Sequence, residues 1–206
     1  WKWMHITEEY CKGKADFKAL PETLEFYKTY FPLHAMRMYF TSNHDENSWC
    51  GTEYEKYDIY ARALAVFSCT WHGIPLIYSG QELPVTRRLK FFDKDTIEWT
   101  GEIQLHDFYK TLLQLRKTNK AISSGIHSLP VLLETAATMS LLAFYRKKDD
   151  HVVWVFLNMG KEYIQYDFSI NEFEGNYRNV FTAEPVILND SLSINLEAGA
   201  FLIIAK

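Results

Sequence analysis

Arg37-Met38-Tyr39-Phe40-Thr41-Ser42-Asn43-His44-Asp45-Glu46-Asn47-Ser48 passes abruptly from β-forming side chains to an unbroken run of polar, chemically capable ones. The first part, coming after Pro32, reads as a strand over 37–41; the second reads as a polar loop over 42–48. Working outward, Tyr57, Tyr60, Ala61, Leu64, Phe67, Ser68 and Trp71 recur at i, i+3, i+4, i+7. That spacing predicts a helix with one buried face, ended by Gly73. Ile74-Pro75-Leu76-Ile77-Tyr78 is the next apolar strand, closed by Ser79-Gly80. Phe108, Leu112 and Leu115 share a face and predict a helix over 106–118. Upstream, Ala15, Phe17, Leu20, Leu24 and Tyr27 are loosely helical over 15–29 despite Pro21. Helix, strand, helix, strand, helix is the rhythm of a parallel α/β sheet.

After Asn119 the rhythm changes. Candidate strands cover 126–133, 141–146, 151–158, 162–168, 176–181, 185–188, 192–196 and 200–205. Turn clusters such as Lys147-Lys148-Asp149-Asp150 and Asn189-Asp190-Ser191 separate several of them. Short strands without helical periodicity predict an antiparallel sandwich or barrel. Val152 to Leu157 is apolar throughout, which marks a central strand covered on both faces. The expected organisation is an α/β unit over 1–119 and an all-β unit over 120–206.

Composition excludes several function classes. Aromatics at 16% and hydrophobic residues at 48% of the 206 rule out a disordered chain. With 22 Lys+Arg against 26 Asp+Glu, no basic field exists to hold nucleic acid. No apolar run reaches the roughly 18–20 residues needed to span a bilayer. Cys11, Cys50 and Cys69 are scattered, which argues against a disulfide framework or a four-cysteine zinc site. Arg87, Arg88 and Lys90 beside Phe91 and Phe92 lie next to Asp93, Asp95 and Glu98, so they read as a solvated loop. The chain opens on Trp1 with no signal-peptide pattern and looks like an excised piece, leaving localisation open.

In parallel α/β architectures sites are built at the carboxyl ends of strands, which singles out the 42–48 loop. The plainer reading is a loop whose Asn, Asp and Ser bond their own backbone. Composition alone leaves both open. The pattern adds more. Phe40-Thr41-Ser42-Asn43-His44-Asp45 resembles the seventh-strand segment of the α-amylase family of glycoside hydrolases. Gly73-Ile74-Pro75-Leu76-Ile77-Tyr78-Ser79-Gly80-Gln81-Glu82 resembles that family's eighth strand. Arg88 to Trp99 is similar to a bacterial subgroup's tail before the last barrel helix. The resemblance implies the last two strands of a TIM barrel, with their helices, followed by a β-sandwich.

By that resemblance Asp45 is the catalytic transition-state stabiliser, a carboxylate that grips sugar hydroxyls without attacking or protonating. His44, Asn43, Glu82 and Arg88 form the expected substrate-binding set. Asn43 also braces the loop, while Glu82 and Arg88 rim the cleft; the plainer alternative for Glu82 is a structural salt bridge. The expected substrate is an α-glucan or maltooligosaccharide, cleaved with retention. The two segments that would supply nucleophile and acid/base, of the form Gly-x-Arg-x-Asp and a following Glu, do not occur in the chain. The isolated chain is therefore expected to be inactive, to need no metal or cofactor, and to self-associate through exposed barrel edges. Two other readings stay open: a non-catalytic carbohydrate-binding piece using Trp49, Trp99 or Trp154, and a purely structural module.

Overall fold

The computed structural model describes residues 1–99, 101–123, 127–135, 139–170 and 173–206. Two helices that pack against each other open the chain, α1 (Lys2–Cys11) and α2 (Ala19–Tyr30). Helix α2 starts later than the periodicity over 15–29 suggests. Pro21 falls in its first turn, where a missing N–H costs nothing. Strand β1 (Met38–Tyr39) pairs in parallel with β2 (Ile74–Pro75), Met38 opposite Ile74. Both are shorter than the expected 37–41 and 74–78, because each has only the other to pair with among the described residues.

The single helix expected over 57–71 is divided. Helix α3 (Glu53–Tyr57) begins at a capping box, Thr52 accepting from the Glu55 N–H and Glu55 from the Thr52 N–H. Asp58 then takes φ 48, a left-handed conformation that ends α3. A 3₁₀ turn (Asp58–Tyr60) leads into α4 (Ala61–Thr70). Gly73 turns the chain into β2, where a Cβ would collide with the Arg37 carbonyl oxygen. Helix α5 (His106–Thr118) has the expected bounds.

The C-terminal part is antiparallel. Strands β3 (Val131–Leu132), β4 (Leu141–Lys148), β5 (His151–Asn158), β6 (Ile164–Ser169), β7 (Gly175–Asn179), β8 (Pro185–Leu188), β9 (Ser191–Leu196) and β10 (Phe201–Ala205) form two layers. One is a six-stranded sheet in the order β3-β4-β5-β10-β7-β8; the other is the pair β6-β9. The strand expected over 126–133 is reduced to β3, and residue 126 lies outside the described residues.

Strand β5 lies between β4 and β10, with Val155 opposite both Phe144 and Ile203. Its alternate side chains enter two cores. Val152, Trp154 and Phe156 pack with β6 and β9, whereas Val153, Val155 and Leu157 pack with the helices. The central strand covered on both faces is thus present. On the helical side, Phe67 of α4 stacks on Trp3 and Trp71 at centroid distances of 4.3 and 5.1 Å. Trp71 meets Phe144 of the sheet edge-on at 4.8 Å. One hydrophobic core therefore continues from the helices into the sheet.

Arg146 reinforces this junction. It is 1% exposed and donates to the carbonyls of Ser128 (2.6 and 2.9 Å), Thr70 and Trp71 (both 3.2 Å). Burial, with repulsion from Arg116, lowers its guanidinium to about 9, leaving it charged at neutral pH. The carbonyls at the end of α4 offset that charge, since a helix C-terminus carries partial negative charge. No described helix is long and apolar enough to cross a membrane.

Candidate functional site

The segment after β1 is more ordered than a loop. The Asn43 carboxamide oxygen accepts from the Glu46 N–H at 2.8 Å, and its carbonyl accepts from the Asn47 N–H at 3.0 Å. This caps a helical turn that continues as a π-helical stretch, Glu46–Cys50, closed by Gly51 N–H to the Glu46 carbonyl at 2.9 Å. Thr41, Ser42, Asn43, Glu46 and Asn47 are buried. His44 and Asp45 point outward, their side chains 73% and 44% exposed, with Nε2 and Oδ2 3.6 Å apart. One turn thus presents an acceptor-only carboxylate beside an imidazole while its neighbours face inward.

Two buried polar clusters hold that turn, and neither was read from the sequence. In the first, Glu46 and Lys56 form an ion pair at 2.9 Å with both side chains out of solvent. In the second, the Thr41 hydroxyl donates to Glu53 Oε2 at 2.7 Å. Gln81 Nε2 lies 2.8 Å from both Glu53 Oε2 and Thr41 Oγ1, and 3.1 Å from the Tyr109 hydroxyl. This cluster ties the segments that follow β1 and β2 to α3 and α5. Burial raises the Glu53 carboxyl above its ordinary value, and the hydrogen bonds from Thr41 and Gln81 only partly oppose that. The Thr52-x-x-Glu55 spacing was the available signal for α3 and hence for Glu53 and Lys56.

The segment after β2 closes over the same end. Asn47 Oδ1 accepts from the Leu89 N–H at 2.7 Å, joining the two segments. Arg88 contacts both Glu55 oxygens at 3.1 Å and donates to the Trp49 carbonyl at 3.4 Å. Glu55 also accepts from Thr52, and Arg88 is the main reason its carboxyl falls to about 2. Arg87 clasps Asp95 at 2.8 and 2.9 Å, so this solvated loop is closed by its own charges. Glu82 lies half-buried in the turn after β2 and forms no ion pair among the described residues. The structure therefore brings Asn43, His44 and Asp45 onto one turn and links Arg88 to it through Glu55 and Trp49. Glu82 lies on the segment after β2. Trp49 and Trp99 are exposed and Trp154 is buried. Among the described residues no group of His, Cys, Asp or Glu is arranged to hold a metal ion.

No family model matches the chain. It is 25% identical over 203 residues to α-amylase 2 of Dictyoglomus thermophilum, covering 92% of this chain and 33% of that protein. It is 23% identical over 158 residues to a maltogenic α-amylase of Bacillus acidopullulyticus, covering 75% of this chain and 26% of that protein. The chain thus spans about a third or less of these curated relatives. Its fold is similar to a maltogenic α-amylase of Thermotoga neapolitana, with TM-score 0.75 and 18% identity, over 96% of this chain and 47% of the other. In sequence and in fold, the chain is α-amylase-like along its length, with the architecture of that glycoside hydrolase family's C-terminal portion: the end of a barrel followed by an antiparallel β-domain.

Proposed function

We propose that the chain is part of a retaining glycosidase that acts on α-glucosidic bonds of starch-like glucans. In this reading, residues 1–119 are the closing part of its catalytic barrel and 120–206 its β-domain. Asp45 is the transition-state stabiliser. As positive charge develops on the sugar ring, hydrogen bonds from the sugar hydroxyls to an ionised carboxylate strengthen, which lowers the barrier. His44 donates to the same sugar, Asn43 keeps the turn in shape, and Glu82 and Arg88 line the rim. For Arg88 this is contact from an anchored position, because Glu55 already holds its guanidinium. The nucleophile and the acid/base come from segments outside this sequence.

The observation that supports this reading is the outward orientation of His44 and Asp45 on a turn whose neighbouring polar side chains, Thr41, Ser42, Asn43, Glu46 and Asn47, are buried. A loop serving only to cap itself would have no need to hold those two against solvent. The test is an assay of maltooligosaccharide cleavage by the isolated chain and by the full-length parent enzyme. The chain alone should release no reducing sugar. The parent should, with proton NMR showing the α-anomer formed first. Turnover by the chain alone, or a β-anomer from the parent, would overturn the assignment of roles.

A further inference from the structure

Three aromatic rings lie beside the candidate site without a covering layer. Trp49, Phe91 and Phe92 are 58%, 41% and 84% exposed. They pack on one another, Trp49 to Phe91 at 5.1 Å, Trp49 to Phe92 at 5.8 Å and Phe91 to Phe92 at 4.9 Å between centroids. Single exposed aromatics are ordinary, but a contiguous exposed cluster marks a recognition surface.

The cluster is also rigidly mounted. Phe91 and Phe92 sit inside the 87–95 loop, which the Arg87–Asp95 clasp closes and the Lys90 N–H, donating to Asp95 at 2.9 Å, tightens. Leu89 is bonded to Asn47, and the Trp49 carbonyl accepts from Arg88. Trp49 belongs to the π-helical stretch that directly follows Asp45, and the i→i+5 pattern places it about one turn beyond Asp45. An apolar, preorganised surface thus adjoins an exposed carboxylate and imidazole.

We infer that Trp49 offers the stacking face of a platform for one glucosyl unit of a linear α-glucan, next to the unit held by Asp45, with Phe91 and Phe92 set across it at 51° and 79° as its apolar wall. This rests on the proposed reading of Asp45 and names how the same site takes its substrate. A pyranose has an apolar face of axial C–H groups and a polar rim of hydroxyls. Rings beside acceptor and donor groups match both at once. A protein partner or a second copy would need only the apolar part.

The experiment titrates maltohexaose into the 206-residue chain, following tryptophan indole N–H signals by NMR and affinity by calorimetry. The Trp49 signal should shift saturably while that of buried Trp154 stays put. Trp49→Ala and Phe92→Ala should each weaken binding by about five- to tenfold, the loss expected for one aromatic contact. Phe92 is so exposed that its truncation leaves the fold intact, which guards against a folding artefact. No binding at millimolar sugar, or binding indifferent to both substitutions, overturns the platform. Shifts that follow protein concentration without sugar also overturn it, by making the cluster a contact between copies. The Asp45→Asn variant separates the two ideas. Affinity lost with Asp45→Asn but kept with Trp49→Ala and Phe92→Ala removes the platform alone. The converse keeps the platform and shows that Asp45 adds nothing to ground-state binding, so the Asp45 reading then stands or falls on turnover alone.

Discussion

Strand β5 and the β1–β2 pair are both β-structure, yet they are stabilised in different ways. Strand β5 is bonded along its length to β4 and β10 and has a core on each face. The β1–β2 ladder is two residues long on each side and leaves Met38 and Ile74 about half exposed. The first region carries no candidate chemistry; the second bears all of it on its two connecting segments. Side-chain bonds hold those segments where a ladder does not: Glu46 to Lys56, Glu53 to Thr41 and Gln81, Asn47 to Leu89, Arg88 to Glu55. The buried ones, Glu46 with Lys56 and Glu53 with Thr41 and Gln81, fix geometry more than they add stability, which suits a functional end.

The contrast can be broken at its strongest point first. Phe144→Ala should lower stability by about 3–5 kcal/mol, because it opens a cavity where sheet and helices meet. Arg146→Ala should cost about 3 kcal/mol by leaving the carbonyls of Thr70, Trp71 and Ser128 without their donor. At the β1 edge, Met38→Lys should change stability by no more than about 0.5 kcal/mol. Urea denaturation read by near-UV circular dichroism measures all three. A large loss at Met38 would show that the short ladder is as integral as the sheet.

Met38→Lys should have a different effect on association. We propose that the exposed edges of β1 and β2 pair with a second chain, and a charge there opposes such pairing. Light scattering should show the apparent mass of the native chain rising with concentration and that of the variant staying flat. A strict monomer throughout would remove the proposal.

The smallest effect is a pH dependence at Glu53. Its folded-state value is raised by burial, so its contribution to stability is complete below the ordinary carboxylate value. That contribution is lost as pH rises through the raised folded one. Glu53→Gln cannot ionise and keeps an acceptor for the Thr41 hydroxyl. Its urea midpoint should therefore rise relative to that of the native chain as pH goes from acid towards neutral. A midpoint that falls relative to the native chain instead would mean that burial does not dominate at Glu53.

Long periodic elements were legible in the sequence. Helix 106–118 and strands 151–158 and 185–188 have the bounds their patterns imply. Three features were not, each for a physical reason. The lengths of β1 and β2 depend on how many neighbours they have, which no local pattern records. The break at Asp58 is a left-handed residue that is not glycine, so periodicity runs straight through it. Glu46, Glu53, Lys56 and Arg146 are charged residues that sequence reading assigns to the surface by default, yet all are buried. Their partners lie up to 76 residues away in the chain. Asn43, His44 and Asp45 were legible as candidates because they are contiguous.

The most direct measurement is turnover of the full-length parent enzyme carrying Asp45→Asn. The amide keeps the shape of the side chain but replaces charge with a donor where an acceptor is needed. With Asp45 as the transition-state stabiliser, kcat should fall by at least about 10²–10³-fold, the usual effect of losing one preorganised contact, while the melting temperature is unchanged. Near-native turnover would contradict the reading and make the turn at Asn43, His44 and Asp45 a structural cap alone.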